Sequence, residues 1–98
     1  MTAIIKRPGQ PAFIRQIENT LTAFQQLVGG YIQTINLPGR IIMIVNEEGK
    51  LMNLKPNFRL GNDLIVGTAV FVSADGEEFA GLSERQENYI WRMMSCVL

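Results

Sequence analysis

Apolar residues fall along this chain in short β-branched runs, broken twice by helical spacing. The longest run is Ile41-Ile42-Met43-Ile44-Val45, which stops at Asn46-Glu47-Glu48-Gly49-Lys50 before Leu51-Met52 turns apolar again. An unbroken run of that length, bounded by turn residues, predicts a strand at 40–46 buried on both faces and central to the sheet. The Asn46–Gly49 reversal then leads to a short strand over 50–54. A second run, Leu64–Ser73, predicts another buried strand, with Gly67 marking a bulge or a close backbone approach. Residues 55–63 contain Pro56, Asn57, Gly61, Asn62 and Asp63, and are expected to form the longest loop.

Elsewhere the pattern is weaker but consistent. Residues 2–7 and 12–18 form an opening hairpin around Pro8-Gly9, where Pro presets one turn dihedral and Gly accepts the positive one. Tyr31–Leu37 alternates as a strand and reaches the long run through Pro38-Gly39. Leu21, Phe24, Leu27 and Val28 recur at helical spacing after Asn19-Thr20, either of which can cap, and Gly29-Gly30 ends that helix. Ser83-Glu84-Arg85-Gln86 has the form of a capping box. The helix it opens carries Tyr89, Ile90, Trp91, Met93, Met94, Val97 and Leu98, too many apolar positions for one narrow stripe. Such a helix is either buried on more than one side or packed on a second copy. We expect the second, with Tyr89, Trp91 and Met94 at the contact of a homo-oligomer. The fold class is α+β: a mostly antiparallel sheet of five or six strands with two helices, about 20–28 and 84–97, packed on it.

Composition narrows the function more by exclusion than by assertion. Residues 1–98 are the length of a single domain, nearly half apolar, able to bury a core without metal or disulfide. Nine basic residues balance nine acidic ones, which argues against general nucleic-acid binding through phosphate attraction. The balance is uneven, with a net of plus four over 1–59 and minus four over 60–98. A single cysteine, Cys96, forms no internal disulfide and points to a reducing compartment, where it reads as a small buried or half-buried thiol. With no leader-like opening and no membrane-length apolar stretch, the expectation is a soluble cytoplasmic protein.

Histidine is absent. That removes the commonest general base and the commonest metal ligand, so neither a catalytic residue, a cofactor nor a metal site is assigned. Glu47-Glu48 are adjacent and point apart, which suits a solvated turn better than a carboxylate pair. Asp75-Gly76-Glu77-Glu78 lacks the alternating oxygen ligands of a calcium loop. The remaining candidates are polar residues beside the two apolar runs: Asn46, Lys50, Asn57, Arg59 and Thr68, with Arg40 at the second Pro-Gly turn. For Asn46 and Asn57 the plainer alternative is turn formation through side-chain to backbone hydrogen bonds.

The segments LVGGYI (27–32), VNEEGKL (45–51), Pro56-Asn57 and DLIVGTAVFV (63–72) resemble, in that order, a small family of uncharacterised proteins carried by bacteriophages, plasmids and integrative elements. The match is best over residues 20–73. It implies a small α/β protein of mobile elements without assigned activity. With that context, the expected function is a non-catalytic binding protein that inhibits a host defence or redirects a host protein. The alternative is an oligomer that sequesters a small anionic, nucleotide-like ligand through Arg40, Lys50 or Arg59.

Overall fold

The computed structural model describes residues 1–97. Leu98, expected among the apolar positions of the last helix, lies outside the described residues. The chain runs β1 (Thr2–Lys6), β2 (Phe13–Gln16), α1 (Leu21–Val28), β3 (Ile32–Leu37), β4 (Ile41–Asn46), β5 (Pro56–Leu60), β6 (Asp63–Val66), β7 (Ala69–Asp75), β8 (Glu78–Ala80) and α2 (Glu84–Val97). The main sheet has six strands, ordered β2-β1-β7-β4-β3 with β8 paired to the outer half of β7, and every pairing in it is antiparallel. The architecture is α+β, as the sequence pattern predicts.

Both faces of the sheet are covered. Alternate residues Ala3, Ile5, Ile42, Ile44, Val70 and Val72 meet Phe24 and Val28 of α1. Their neighbours Ile4, Ile41, Met43, Val45 and Phe71 meet Ile90 and Met94 of α2, together with Phe58 and Ile65 from the β5–β6 hairpin. A strand between two such layers has no solvated side, so the two-residue period disappears from its sequence. All six residues of β4 are buried for this reason. The middle of the sheet belongs to β7, however, which lies between β1 and β4.

Two expectations about the segment after β4 are corrected. Residues 50–54 are not a strand. Met52 N–H donates to Glu48 O (2.8 Å) and Leu54 N–H to Gly49 O (3.0 Å), helix-like closures that end where Asn53 takes φ 55°. Nor is 55–63 a loop, because most of it is β5 and the turn into β6. Pro56 is accommodated at the first residue of a two-stranded sheet, where a missing donor costs little. The second apolar run also divides. Gly67, at φ 72°, bends the chain between β6, which lies over one face, and β7, which enters the sheet. A Cβ there would sit 2.8 Å from Leu54 Cδ1, so the close approach holds and a mid-strand bulge does not.

The helices follow their sequence signals closely. Thr20 caps α1, its hydroxyl accepting from Ala23 N–H at 3.1 Å, and Gly29 closes it at φ 79°. Leu21 is the exception on that helix, pointing to solvent rather than to the sheet. At α2 the capping box forms in both directions: Gln86 N–H donates to Ser83 Oγ and Ser83 N–H to Gln86 Oε1. No described helix is long and apolar enough to cross a membrane.

Candidate functional site

Asn46 ends β4 with its side chain turned toward α1. Its Nδ2 donates to Val28 O at 3.1 Å, satisfying a carbonyl at the helix end, and its Oδ1 accepts from Glu48 N–H at 2.8 Å. Buried, it fixes the helix end and the following turn together. Gly30 packs against it so closely that a Cβ would stand 2.9 Å from Nδ2.

Around this anchor lies a groove of about 380 Å³, lined on one side by Thr22, Gln25 and Gln26 of α1 and on the other by Glu48 and Met52. Tyr31 stands at its end, 66 % exposed, and Met52 is 52 % exposed. Leu51, next in the chain to Met52 and 87 % exposed, lines a separate, neighbouring cleft. Two large, exposed side chains, Tyr31 and Met52, thus line one groove, and among the described residues the only charge lining it is the carboxylate of Glu48. The sequence pattern places Tyr31, Leu51 and Met52 in strands, whereas in the structure all three lie outside strands and are exposed. The available signal was Leu51-Met52 itself, an apolar pair inside a polar turn.

The other candidates scatter. Lys50 is paired with Asp63 at 2.7 Å across a second, smaller cleft of about 180 Å³ lined by Gln33, Ile35 and Val45. Arg40 is exposed at the β3–β4 turn, at the far end of β4 from Asn46, roughly 20 Å away at about 3.3 Å per strand residue. Arg59 is exposed on β5, and Thr68 is half-buried between Gly67 and β7.

Asn57 is an internal tie. Its Nδ2 donates to Lys6 O and Gly67 O, both at 2.8 Å, and its Oδ1 accepts the Lys6 ammonium at 2.9 Å. It shares no hydrogen-bond partner with Asn46. Lys6 itself is 2 % exposed, and burial pushes its amine below the usual lysine value. Its second bond is to Arg7 O at 2.8 Å.

On α2, Met94 is corrected from a self-association contact to a core residue, 3 % exposed within its own chain. Trp91 is half-buried against the same cluster, and Tyr89 is exposed. The excess of apolar residues on this helix is therefore absorbed largely by the face of the sheet and the β5–β6 hairpin. Cys96 is exposed rather than buried. Among the described residues no three acidic or cysteine side chains converge as a metal site, and the one ion pair is Lys50–Asp63.

Compared with known proteins, the chain matches no curated protein and no solved structure. A family model does match, over residues 1–95. The chain belongs to that family, described as a domain of unknown function, DUF3846.

Proposed function

We propose that this chain is a non-catalytic binding protein, and that it holds a segment of another protein in the groove between α1 and the 46–54 turn. The single observation that carries the reading is that Tyr31 and Met52, both exposed, line one groove against the Asn46 amide, which is itself held by Val28 O and Glu48 N–H. Exposed aromatic and methionine side chains cost solvation in the free protein and gain it back on burial against a partner. Methionine also adapts its shape to what it meets. The charge at the rim narrows the partner. Glu48 lines the groove, with no lysine or arginine among the lining residues. The segment that fits carries apolar side chains and at least one basic residue.

In the mobile-element setting that the sequence resemblance implies, this segment belongs to a host or phage protein, and binding disables or redirects it. The competing reading, sequestration of a small anion, draws less support: Lys50 is already paired, and Arg40 stands at the opposite end of β4.

The test is a photo-crosslinking residue placed at position 31, with a second at position 92 on α2 as control, in cells carrying the natural host of the gene. A protein joined at 31 and not at 92 is then purified, and its affinity is measured for the unmodified chain and for Tyr31→Ser and Met52→Ser. The expected result is binding that weakens at least tenfold with either substitution. Unchanged affinity in both variants overturns the assignment of the groove. A thermal shift with a nucleotide, abolished by Arg59→Ala, overturns the reading of the protein as a binder of other proteins.

A further inference from the structure

The two edges of the main sheet are built differently. At one edge, β2 is four residues long, carries Arg15, and follows Pro8 and Pro11. These are the devices that keep an edge strand from pairing with another chain: shortness, charge and proline. At the other edge, β3 reads Ile32-Gln33-Thr34-Ile35-Asn36-Leu37, six residues without charge, proline or glycine, and its register with β4 is unbroken throughout. It has none of those protections.

The direction of its free backbone groups can be read from two bonds. Tyr31 O accepts from Glu47 N–H and Arg40 O from Ala74 N–H, both at 2.8 Å. In an antiparallel ladder the backbone groups of successive residues point to opposite sides. Tyr31, Gln33, Ile35 and Leu37 therefore turn theirs toward β4, and even-numbered residues of β4 turn theirs toward β7. Ile32, Thr34 and Asn36 are left with N–H and C=O directed away from the sheet.

We infer that β3 pairs with β3 of a second copy of this chain, antiparallel about a two-fold axis through Thr34, to make one continuous sheet across a dimer. This goes beyond the groove reading and does not depend on it. Only the register centred on Thr34 matches all three outward residues with outward residues: Thr34 faces the partner's Thr34, and Ile32 faces the partner's Asn36. Each such pair exchanges two hydrogen bonds, giving about six across the axis. The side chains agree with that register. On the α1 face two threonines meet, a favourable cross-strand pair. On the α2 face Ile35, which is only half-buried in one copy, lies diagonal to the partner's Ile35. No charged residue lies within β3, and the chain has no net charge, so neither a charge in the strand nor overall repulsion opposes the approach of two copies.

The experiment is sedimentation and light scattering of the purified chain over a wide concentration range, with two variants. Thr34→Pro removes an N–H that the monomer does not use, and Thr34→Lys sets two like charges face to face at the axis. Circular dichroism and denaturant melts establish that each variant is folded. The expected result is a dimer for the parent chain and at least a tenfold weaker dimer for both folded variants. As a positive arm, Thr34→Cys in a Cys96→Ser background forms a disulfide-linked dimer on mild oxidation, while Arg15→Cys in the same background does not. A parent chain that stays monomeric at its highest attainable concentration overturns the inference. So does a dimer that Thr34→Lys leaves intact while Tyr89→Ser dissolves it, since that places the contact on α2.

Discussion

Lys6 and Asn57, 51 residues apart, exchange two hydrogen bonds: the ammonium donates to Oδ1 at 2.9 Å and Nδ2 donates to the Lys6 carbonyl at 2.8 Å. A third bond runs from the same amide nitrogen to Gly67 O. One side chain thus joins the end of β1, the start of the β5–β6 hairpin and the bend that leads into β7. It explains how a two-stranded sheet with no ladder bonds to the main sheet is held over its face, alongside the packing of Phe58 on Phe71 with ring centroids 6.4 Å apart.

Replacing Asn57 by leucine leaves the buried amine with one partner and takes the amide donor away from Lys6 O and Gly67 O. Unsatisfied buried polar groups cost about 1–3 kcal/mol each, more when charged, so a total loss of about 3 kcal/mol is expected after partial rehydration. Urea unfolding measures it. A loss below about 1 kcal/mol shows that water replaces the amide without penalty.

The same burial makes stability depend on pH. The folded-state value of Lys6 lies below the ordinary 10.5, because desolvation disfavours the ammonium. Between the lowered value and 10.5 the folded protein binds fewer protons than the unfolded chain, so this group adds stability as pH rises through that window and withdraws it as pH falls. Unfolding free energies of the parent chain and Lys6→Met, measured from neutral to alkaline pH, isolate the contribution. Their difference is expected to be flat near neutrality and to move in favour of the parent chain on the alkaline side. A difference that is level throughout contradicts the assignment.

Arg40 holds φ 62° at the β3–β4 turn, directly after Gly39 at φ 80°. Side chains other than glycine are strained there. The position is set by its carbonyl, which accepts from Ala74 N–H and from Gln86 Nε2, rather than by its exposed guanidinium. Arg40→Gly is expected to raise stability by about 0.5–1 kcal/mol, the relief of strain exceeding the added freedom of the unfolded chain. A fall in the thermal midpoint shows instead that the guanidinium contributes to the fold.

Gln86 works at both ends of its amide. Its oxygen accepts from Ser83 N–H in the capping box, and its nitrogen reaches Gly39 O at 3.0 Å and Ser73 Oγ at 2.9 Å. Gln86→Ala removes a cap and the tie between α2 and the β3–β4 turn, for an expected loss of about 1–2 kcal/mol. Gln86→Glu keeps the cap acceptor and lacks the donor. It should recover roughly the capping share, and denaturant melts of the two variants separate the roles. Equal losses place the whole effect in the tie.

How much of this could be read from the chain follows from where each signal resides. Thr20 and Gly29 around α1, the Ser83–Gln86 box and the Pro38-Gly39 turn are local, because the atoms that satisfy each motif are supplied within a few residues. The burial of β4 was legible too, since a strand covered on both sides must be apolar at every position. The departure of residues 50–54 from a strand has a different origin. Leu51 and Met52 look like interior residues by type, yet closures onto Glu48 and Gly49 carry them out to the surface.

By itself, then, the sequence determined the fold class, the caps, most turns and which runs are interior, because these depend on contacts between near neighbours and on the hydration of each side chain. Tertiary structure alone decided that Gly67 divides the second apolar run, that Asn57 binds Lys6, and that Met94 is spent in the core while Tyr31 is left outside. Those outcomes depend on which distant strand lies alongside, and hydrophobicity attracts apolar surfaces without naming a partner. Backbone geometry and the matching of buried donors with acceptors make that choice, and they do so only when the chain is packed.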